Sequence, residues 1–325
     1  MPTLFNSKEV KKLFGANSRS ETNISELFFT PKYVYKIKKP VDLGFADFTK
    51  PEERFRLTKA EYIINKKFSP KIYIDLVAIR EHKGRLTLTN KGRILEYAIK
   101  MKKLSQKGWL ALLLKNKDVS EKLTIKIADM IAKAHSKFPP QKGDSKYGNP
   151  KAIKKNWEET LSLLENDALG ITLTNLEFQR LRRLSILYLK RLMPLFMKRV
   201  KENKIQRIHG DLHSENIFVG NKIPYITDAI LPIPEWEFGD IAIDIGAITM
   251  DFDAYNQRKL SDTLLAEYTK RTKDSSLKEA ILFYKIYWAA IRLWVSSAAI
   301  KQGKREARKK ANRYKKILFD YLNRS

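Results

Sequence analysis

His209-Gly210-Asp211-Leu212-His213-Ser214-Glu215-Asn216, with Asp228 twelve residues beyond Asn216, is the stretch on which the fold of this chain turns. The spacing H-x-D-L-x-x-x-N puts a carboxylate and a carboxamide on one short loop. Moving a phosphoryl group onto a hydroxyl needs a carboxylate to accept the hydroxyl proton and oxygen donors to hold Mg²⁺ against the phosphates of ATP. In that chemistry Asp211 is the base and Asn216 a metal ligand.

The residues that follow extend the expectation. Ile217-Phe218-Val219 is apolar and β-prone, Gly220-Asn221-Lys222 is turn chemistry, and Ile223 to Thr227 is a second strand-like run, so a hairpin is predicted. Pro224 suits only an edge or the first residues of a strand. Because the turn lies about midway between Asn216 and Asp228, fold-back is expected to set an amide oxygen beside a carboxylate, both hard donors of the kind Mg²⁺ takes. Zinc on His209 and His213 would require a helix, which Gly210 disfavours, and the chain has no cysteine. His209 is expected to brace the loop through hydrogen bonds.

The loop resembles the catalytic loop of aminoglycoside phosphotransferase-like enzymes, a branch of the protein-kinase-like fold in which HGDLHxxN replaces HRDLKxxN. Glu21-Thr22-Asn23-Ile24-Ser25 and the run from Val34 through Lys36, Lys38 and Leu43-Gly44-Phe45-Ala46 to Phe48 are similar to the amino-terminal part of one subgroup of that family. The resemblance implies an α+β, two-lobed protein-kinase-like fold. A small antiparallel β-sheet lobe, residues 1–103, would bind the nucleotide, and a larger, mainly helical lobe, residues 104–325, would carry catalysis and the acceptor. It also implies ATP and Mg²⁺ as cofactors, Asn216 and Asp228 as metal ligands, and Asp240 and Asp244 as acids that brace the loop. Capping of a helix start is the competing role for those two acids.

Tyr33-Val34-Tyr35-Lys36-Ile37-Lys38 alternates as a strand does, with Lys36 and Lys38 on one face. One of them would neutralise the α/β-phosphates. A literal V-A-I-K match selects Lys38, the resembled family's shorter pattern selects Lys36, and Lys36 is preferred. Glu61, on the helical pattern of Leu57 to Phe68, is the acid expected to hold that lysine. With no G-x-G-x-x-G present, the resemblance gives the phosphate-covering turn to Thr22 through Ser25. By position, the adenine edge would meet the backbone near Met101, at the end of the strand-like run from Arg93.

Helices are predicted over Val119 to Phe138, from the capping box Thr174-Asn175-Leu176-Glu177 toward Lys201 with a kink or break at Pro194, and over Ile281 to Ala299. Lys285 and Arg292 interrupt the last of these often enough to argue against a membrane span. A 43% apolar content without low-complexity tracts indicates a folded protein, and the polar start from Met1 to Lys12 lacks a signal peptide's apolar core, so a cytoplasmic enzyme is expected.

The 64 basic residues against 36 acidic ones give a net charge of +28. Between Lys301 and Ser325 ten basic residues face two acidic ones. Such a surface attracts anions and repels polycations, which argues against an aminoglycoside acceptor and for a small, non-cationic hydroxyl compound. Two alternatives share the motifs: a kinase for RNA or protein that docks through the basic segment, or a nucleotide-binding pseudokinase. The full set of Lys36, Glu61, Asp211, Asn216 and Asp228 weighs against the latter, since a binding module has no need of a base.

Overall fold

The computed structural model describes residues 5–42, 44, 47–141, 146–230 and 233–325. Leu43, Phe45 and Ala46, quoted above for the resemblance, lie outside them. The chain divides into two units: residues 1–108 with 225–232, and residues 109–224 with 233–325.

The first unit begins with α1 (Ser7–Phe14) and then alternates strands with one long helix: β1 (Ser18–Glu21), β2 (Ser25–Phe29), β3 (Tyr33–Lys38), α2 (Pro51–Phe68), β4 (Tyr73–His82), β5 (Arg85–Thr87) and β6 (Arg93–Lys102). The strands form one antiparallel sheet in the order β1-β2-β3-β6-β4-β5. Alternation along β3 sends Tyr35 and Ile37 to one face, where they pack with Phe28, Ile79 and Ala98 against Val10 and Phe14 of α1. The rings of Phe14 and Tyr35 stack 4.1 Å apart. Lys36 and Lys38 therefore turn to the other face, which α2 covers. That helix starts six residues before the predicted Leu57, with Pro51 in its first turn, where a missing N–H costs nothing. Buried Arg54 fixes α2 on the sheet, donating to Glu96 of β6 at 2.5 Å and to the Phe48 and Thr49 carbonyls.

The second unit is mainly helical. Its elements are α3 (Leu110–Asn116), α4 (Glu121–His135), α5 (Pro150–Asp167), α6 (Asn175–Lys201), β7 (Ile205–Arg207), β8 (Ile217–Gly220), β9 (Ile223–Ile226), α7 (Pro234–Glu237), β10 (Phe238–Asp240), α8 (Ala242–Ala254), α9 (Arg258–Thr272), α10 (Leu277–Lys301) and α11 (Ala307–Leu322), with the end of β9 already in the first unit. The capping box at Thr174 is formed, and α6 runs unbroken through Pro194. Between β8 and β9, Asn221 and Lys222 both have positive φ, 51° and 60°, as a two-residue hairpin turn of the twisted kind requires. The strands form a two-stranded ribbon, and β7 pairs antiparallel with β10.

Helix α10 is the axis of this unit, packed against α5, α6, α8 and α11. Its aromatics meet Trp157 and Phe196, with the Phe196 and Phe283 rings 5.3 Å apart. The two charges that interrupt its apolar sequence are neutralised inside the protein: Lys285 lies 2.7 Å from Asp253, and Arg292 2.7 Å from Glu215. Among the described residues no helix is long and apolar enough to cross a membrane. The basic carboxy-terminal segment is largely α11, whose Ala311, Tyr314, Leu318, Tyr321 and Leu322 are buried.

Candidate functional site

In the first unit three charged side chains meet beneath the sheet. Glu61 projects from α2 toward β3 and divides its carboxylate between two lysines: Oε1 lies 2.8 Å from Lys36 Nζ, and Oε2 lies 2.5 Å from Lys38 Nζ. Lys36 also reaches Asp228, with Nζ 2.5 Å from Oδ1. The environments separate the two lysines. Burial opposes the charge of Lys36, but Asp228 and Glu61 outweigh it and its pKa is raised. Burial dominates at Lys38, which shares Glu61 with a second cation, and its pKa is lowered. The Lys38 ammonium is at contact distance from Glu61 yet outside hydrogen-bond geometry, and it is only 2% exposed, with the Phe48 ring 5.7 Å away. Burial would raise the pKa of Glu61, but the two lysines hold it down to about 2.

Asp228 is positioned by its backbone. The Ile226 N–H donates to Ser69 Oγ (3.1 Å), the Asp228 N–H to the Tyr73 hydroxyl (2.8 Å) and the Ala229 N–H to Asn65 Oδ1 (2.9 Å). Glu61 and Asn65, one turn apart on α2, and Ser69 at its C-terminal cap hold the lysine pair and the segment from Ile226 to Ala229 that carries Asp228. At φ 61° Asp228 is in the left-handed region, which aspartate tolerates better than most residues, and its side chain stays 56% exposed.

The remaining candidates of this unit are less open. In the turn from Thr22 to Ser25, the Thr22 N–H donates to the Ser25 carbonyl, and the Ile24 and Ser25 N–H groups donate to Thr22 Oγ1. Those backbone donors are spent inside the turn. The Ser25 hydroxyl is buried with no hydrogen-bond partner among the described residues. Met101 belongs to β6, between β3 and β4, and packs against Ile72, Tyr73 and Ile99. The next two N–H groups, of Lys102 and Lys103, donate to Ile72 and Lys32.

In the second unit the loop around Asp211 is held from behind by α8. Asp244 accepts from the His209 N–H at 2.7 Å and the Gly210 N–H at 2.9 Å, and its Oδ2 also meets His135 Nε2 at 2.9 Å. Gly210 has φ 75°, which places this turn in glycine's region. His209 is fully buried, and its Nδ1 accepts the Asp211 N–H at 3.3 Å. Asn216 donates to the Asp211 carbonyl (2.9 Å) and to its Oδ2 (3.1 Å), while His213 Nε2 is 3.3 Å from Oδ1. Burial would raise the Asp211 pKa, but His213 and Arg292 bring it to about 2, so the carboxylate is ionised. Asp240 accepts from Arg199 at 2.6 and 2.7 Å, from the Tyr284 hydroxyl at 3.1 Å and from the Ala242 N–H, and these hydrogen bonds among the described residues lie away from the loop.

A second layer, not anticipated from the sequence, grips the far half of the loop. Asp251 accepts from the Ser214 N–H and hydroxyl at 2.8 and 2.6 Å and from the Tyr314 hydroxyl at 3.1 Å. Glu215 lies between Arg292 of α10 and Lys310 of α11, and although burial would raise its pKa, these cations lower it to about 2. Trp109 Nε1 donates to the Glu215 carbonyl at 2.7 Å. Among the described residues no three His, Cys, Asp or Glu side chains form a metal cage. Mg²⁺ bound through phosphate oxygens, waters and one or two protein ligands does not need one.

No family model matches the chain. Uncharacterised proteins of Mycobacterium bovis and Mycobacterium tuberculosis are 25% identical over 302 residues, 93% of this chain, which spans 59% of their length. Among solved structures, a choline kinase from Cryptosporidium parvum matches with a TM-score of 0.54 and 12% identity over 94% of this chain and 90% of that one. A choline/ethanolamine kinase family protein from Mesorhizobium loti gives 0.54 and 12% over 98% and 97%. The GDP complex of an aminoglycoside 2′-phosphotransferase gives 0.52 and 9% over 98% and 97%. The chain therefore has the two-lobed, protein-kinase-like fold that these solved structures share.

Proposed function

We propose that the protein is a Mg²⁺-dependent kinase that moves the γ-phosphoryl group of ATP to a hydroxyl of a small, non-cationic molecule. The observation that carries this reading is the pairing of Lys36 with Glu61 at 2.8 Å, the lysine-glutamate pair on which kinase phosphate binding depends. Lys36, charged and shared between two carboxylates, neutralises the phosphates; Lys38 is too deeply enclosed and holds the other oxygen of Glu61 in place. Asp228 and Asn216 are the metal ligands, and Asp211 is the base. Mg²⁺ held by Asp228 and Asn216 would supply charge neutralisation to the phosphates, and the side chains would supply position. The acceptor hydroxyl gives its proton to Asp211 as its oxygen bonds to the γ-phosphorus and the bond to ADP breaks.

The net charge of +28 supports a non-cationic acceptor. Nucleotide appears in the named complex of the phosphotransferase neighbour, which agrees with nucleotide use here.

The reading is tested with two variants. Asp211→Asn is expected to lower turnover by roughly 10²- to 10⁴-fold with nucleotide affinity nearly unchanged, as loss of a general base does. Asp228→Ala is expected to remove the Mg²⁺ dependence of ATP binding. Equal loss of ATP binding in Asp211→Asn, or an unaltered Mg²⁺ titration in Asp228→Ala, rules out the assigned roles.

A further inference from the structure

Helix α6 turns one long face to solvent, and the spacing along it repeats. Leu176, Leu187 and Pro194 are separated by eleven and seven residues, close to three and two helical turns, so they share one line. All three are exposed, Leu176 by 81% and Leu187 by 60%. Arg180, Arg191 and Lys198 follow these residues by four positions each, while Arg183 and Lys190 precede Leu187 and Pro194 by four, and Lys201 continues the second row. Four positions advance the helix by one turn and about 40°, so exposed cations run along both sides of an apolar crest. Ile186 and Met197 add exposed apolar surface beside Lys190.

We propose that this face is a docking surface for a membrane containing anionic phospholipids, with α6 lying along the headgroups. The helix carries a single acid, Glu177, which belongs to its capping box and pairs with Lys315 of α11. Of the six cations beside the crest, Lys198 alone has an acidic partner among the described residues, Glu202 at 3.7 Å. Arg180 donates to the neutral amide of Asn323 at 2.7 Å, and Arg191 lies 4.9 Å over the Tyr188 ring. Neighbouring α5 is built the other way: its exposed Lys154 and Lys155 stand one turn from Glu158 and Glu159 and pair with them. On α6, Arg180 and Arg183, and Lys198 and Lys201, stand one turn apart as like charges, a repulsion that an anionic surface removes. The apolar crest selects the kind of surface. A nucleic-acid backbone offers nothing to Leu176, Leu187 or Met197, whereas the headgroup boundary of a bilayer takes aliphatic side chains while lysine and arginine stems reach back to the phosphates. The inner face of α6, with Phe178, Leu181, Leu189 and Phe196, stays buried in the protein, so only the crest enters and attraction between charges dominates.

The test is co-sedimentation of the chain with vesicles of phosphatidylcholine alone and of phosphatidylcholine mixed with phosphatidylglycerol, at low salt and at about 0.15 M, where charges beyond about 8 Å are screened. Vesicle binding needs no catalysis, so it is read independently of phosphotransfer. The mixed vesicles are expected to bind the protein and the neutral ones not to, with weaker binding at the higher salt. The triple variant Arg183→Glu, Lys190→Glu, Arg191→Glu is expected to lose affinity by about a hundredfold or more, since each basic residue near an anionic surface is worth roughly fivefold. Leu187→Asn, at an exposed position, is expected to lower the partition coefficient by about fivefold through the lost apolar side chain. Should the triple variant misfold, Leu187→Asn decides by itself. It also separates lipid from nucleic acid, because an RNA oligonucleotide held by the same cations would bind Leu187→Asn as it binds wild type. Wild type that binds both vesicles alike or neither, a folded triple variant that sediments as wild type does, or Leu187→Asn with undiminished partition overturns the proposal. RNA bound at about 0.15 M salt where the mixed vesicles are not gives the face to nucleic acid instead.

Discussion

Lys36 and Asp228 lie 192 residues apart in sequence, and the ammonium of one stands 2.5 Å from the carboxylate of the other. The same ammonium is 2.8 Å from Glu61, so Lys36 is held charged at a fixed point by two elements of different origin. Lys36→Met is expected to weaken MgATP binding by about tenfold or more, the worth of a lost charge-assisted contact. Lys38→Met is expected to leave MgATP affinity within about threefold of wild type and to lower stability instead. Calorimetric titration of both variants decides; a larger affinity loss in Lys38→Met would transfer the phosphate role to Lys38.

Glu61 makes stability depend on acid. Its ordinary pKa of 4.5 falls to about 2 in the folded protein, so its contribution is fully present above pH 4.5 and is lost as pH drops from there through 2. Urea unfolding at pH 7, 5, 4 and 3 is expected to show stability falling across the lower two steps. In Glu61→Gln the slope there is expected to flatten, with a loss at pH 7 of roughly 3–5 kcal/mol from leaving Lys38 buried without its carboxylate. An unchanged acid slope in that variant would mean another group controls it.

Asp244 carries the turn on which Asp211 is mounted. Asp244→Asn keeps the size but replaces one accepting oxygen with a donor facing backbone N–H groups. The expected result is turnover down by about 10- to 100-fold, the cost of displacing a reacting group by a fraction of an ångström to an ångström, with MgATP affinity preserved. Steady-state kinetics alongside nucleotide titration checks this; loss of both together would indicate general unfolding.

The parts of this arrangement legible in sequence are those written locally. Period-two alternation at Tyr33–Lys38 put both lysines on one face, Asn221-Lys222 marked the hairpin turn, and Thr174 with Glu177 marked a helix start. The start of α2 was misjudged because its first turn, Pro51 to Arg56, is charged and has little apolar periodicity to read. Asp251, Arg292, Lys310 and Tyr314 escaped notice for a different reason. Asp251, Arg292 and Lys310 act on loop residues 37 to 95 positions away, Tyr314 reaches the loop only through Asp251, 63 positions away, and in sequence Arg292 is only an interruption of an apolar helix. Asp240 and Asp244, four residues apart, could not be told apart by spacing, since only the tertiary position of Arg199 draws one of them away.

Gly246 ties core packing to the loop. A Cβ added there would sit 2.5 Å from Tyr284 Cβ and 2.9 Å from the Tyr284 carbonyl carbon, so α8 and α10 approach backbone to backbone at this point. Neither contact is the end of a flexible side chain, and Gly246→Ala must push the helices apart. The loss of stability is expected to be about 1–3 kcal/mol, the usual range for overpacking a dense core. Because α8 also carries Asp244 and Asp251, which hold the backbone at His209, Gly210 and Ser214, the displacement is expected to reach Asp211, the proposed base, as well. Turnover is therefore expected to fall although Gly246 is no part of the site, with MgATP affinity, which we propose depends on Lys36 and Glu61, nearly constant. Chemical denaturation with kinetics on the folded variant measures both; a variant as stable as wild type, or one destabilised with full turnover, would separate the helix packing from the loop.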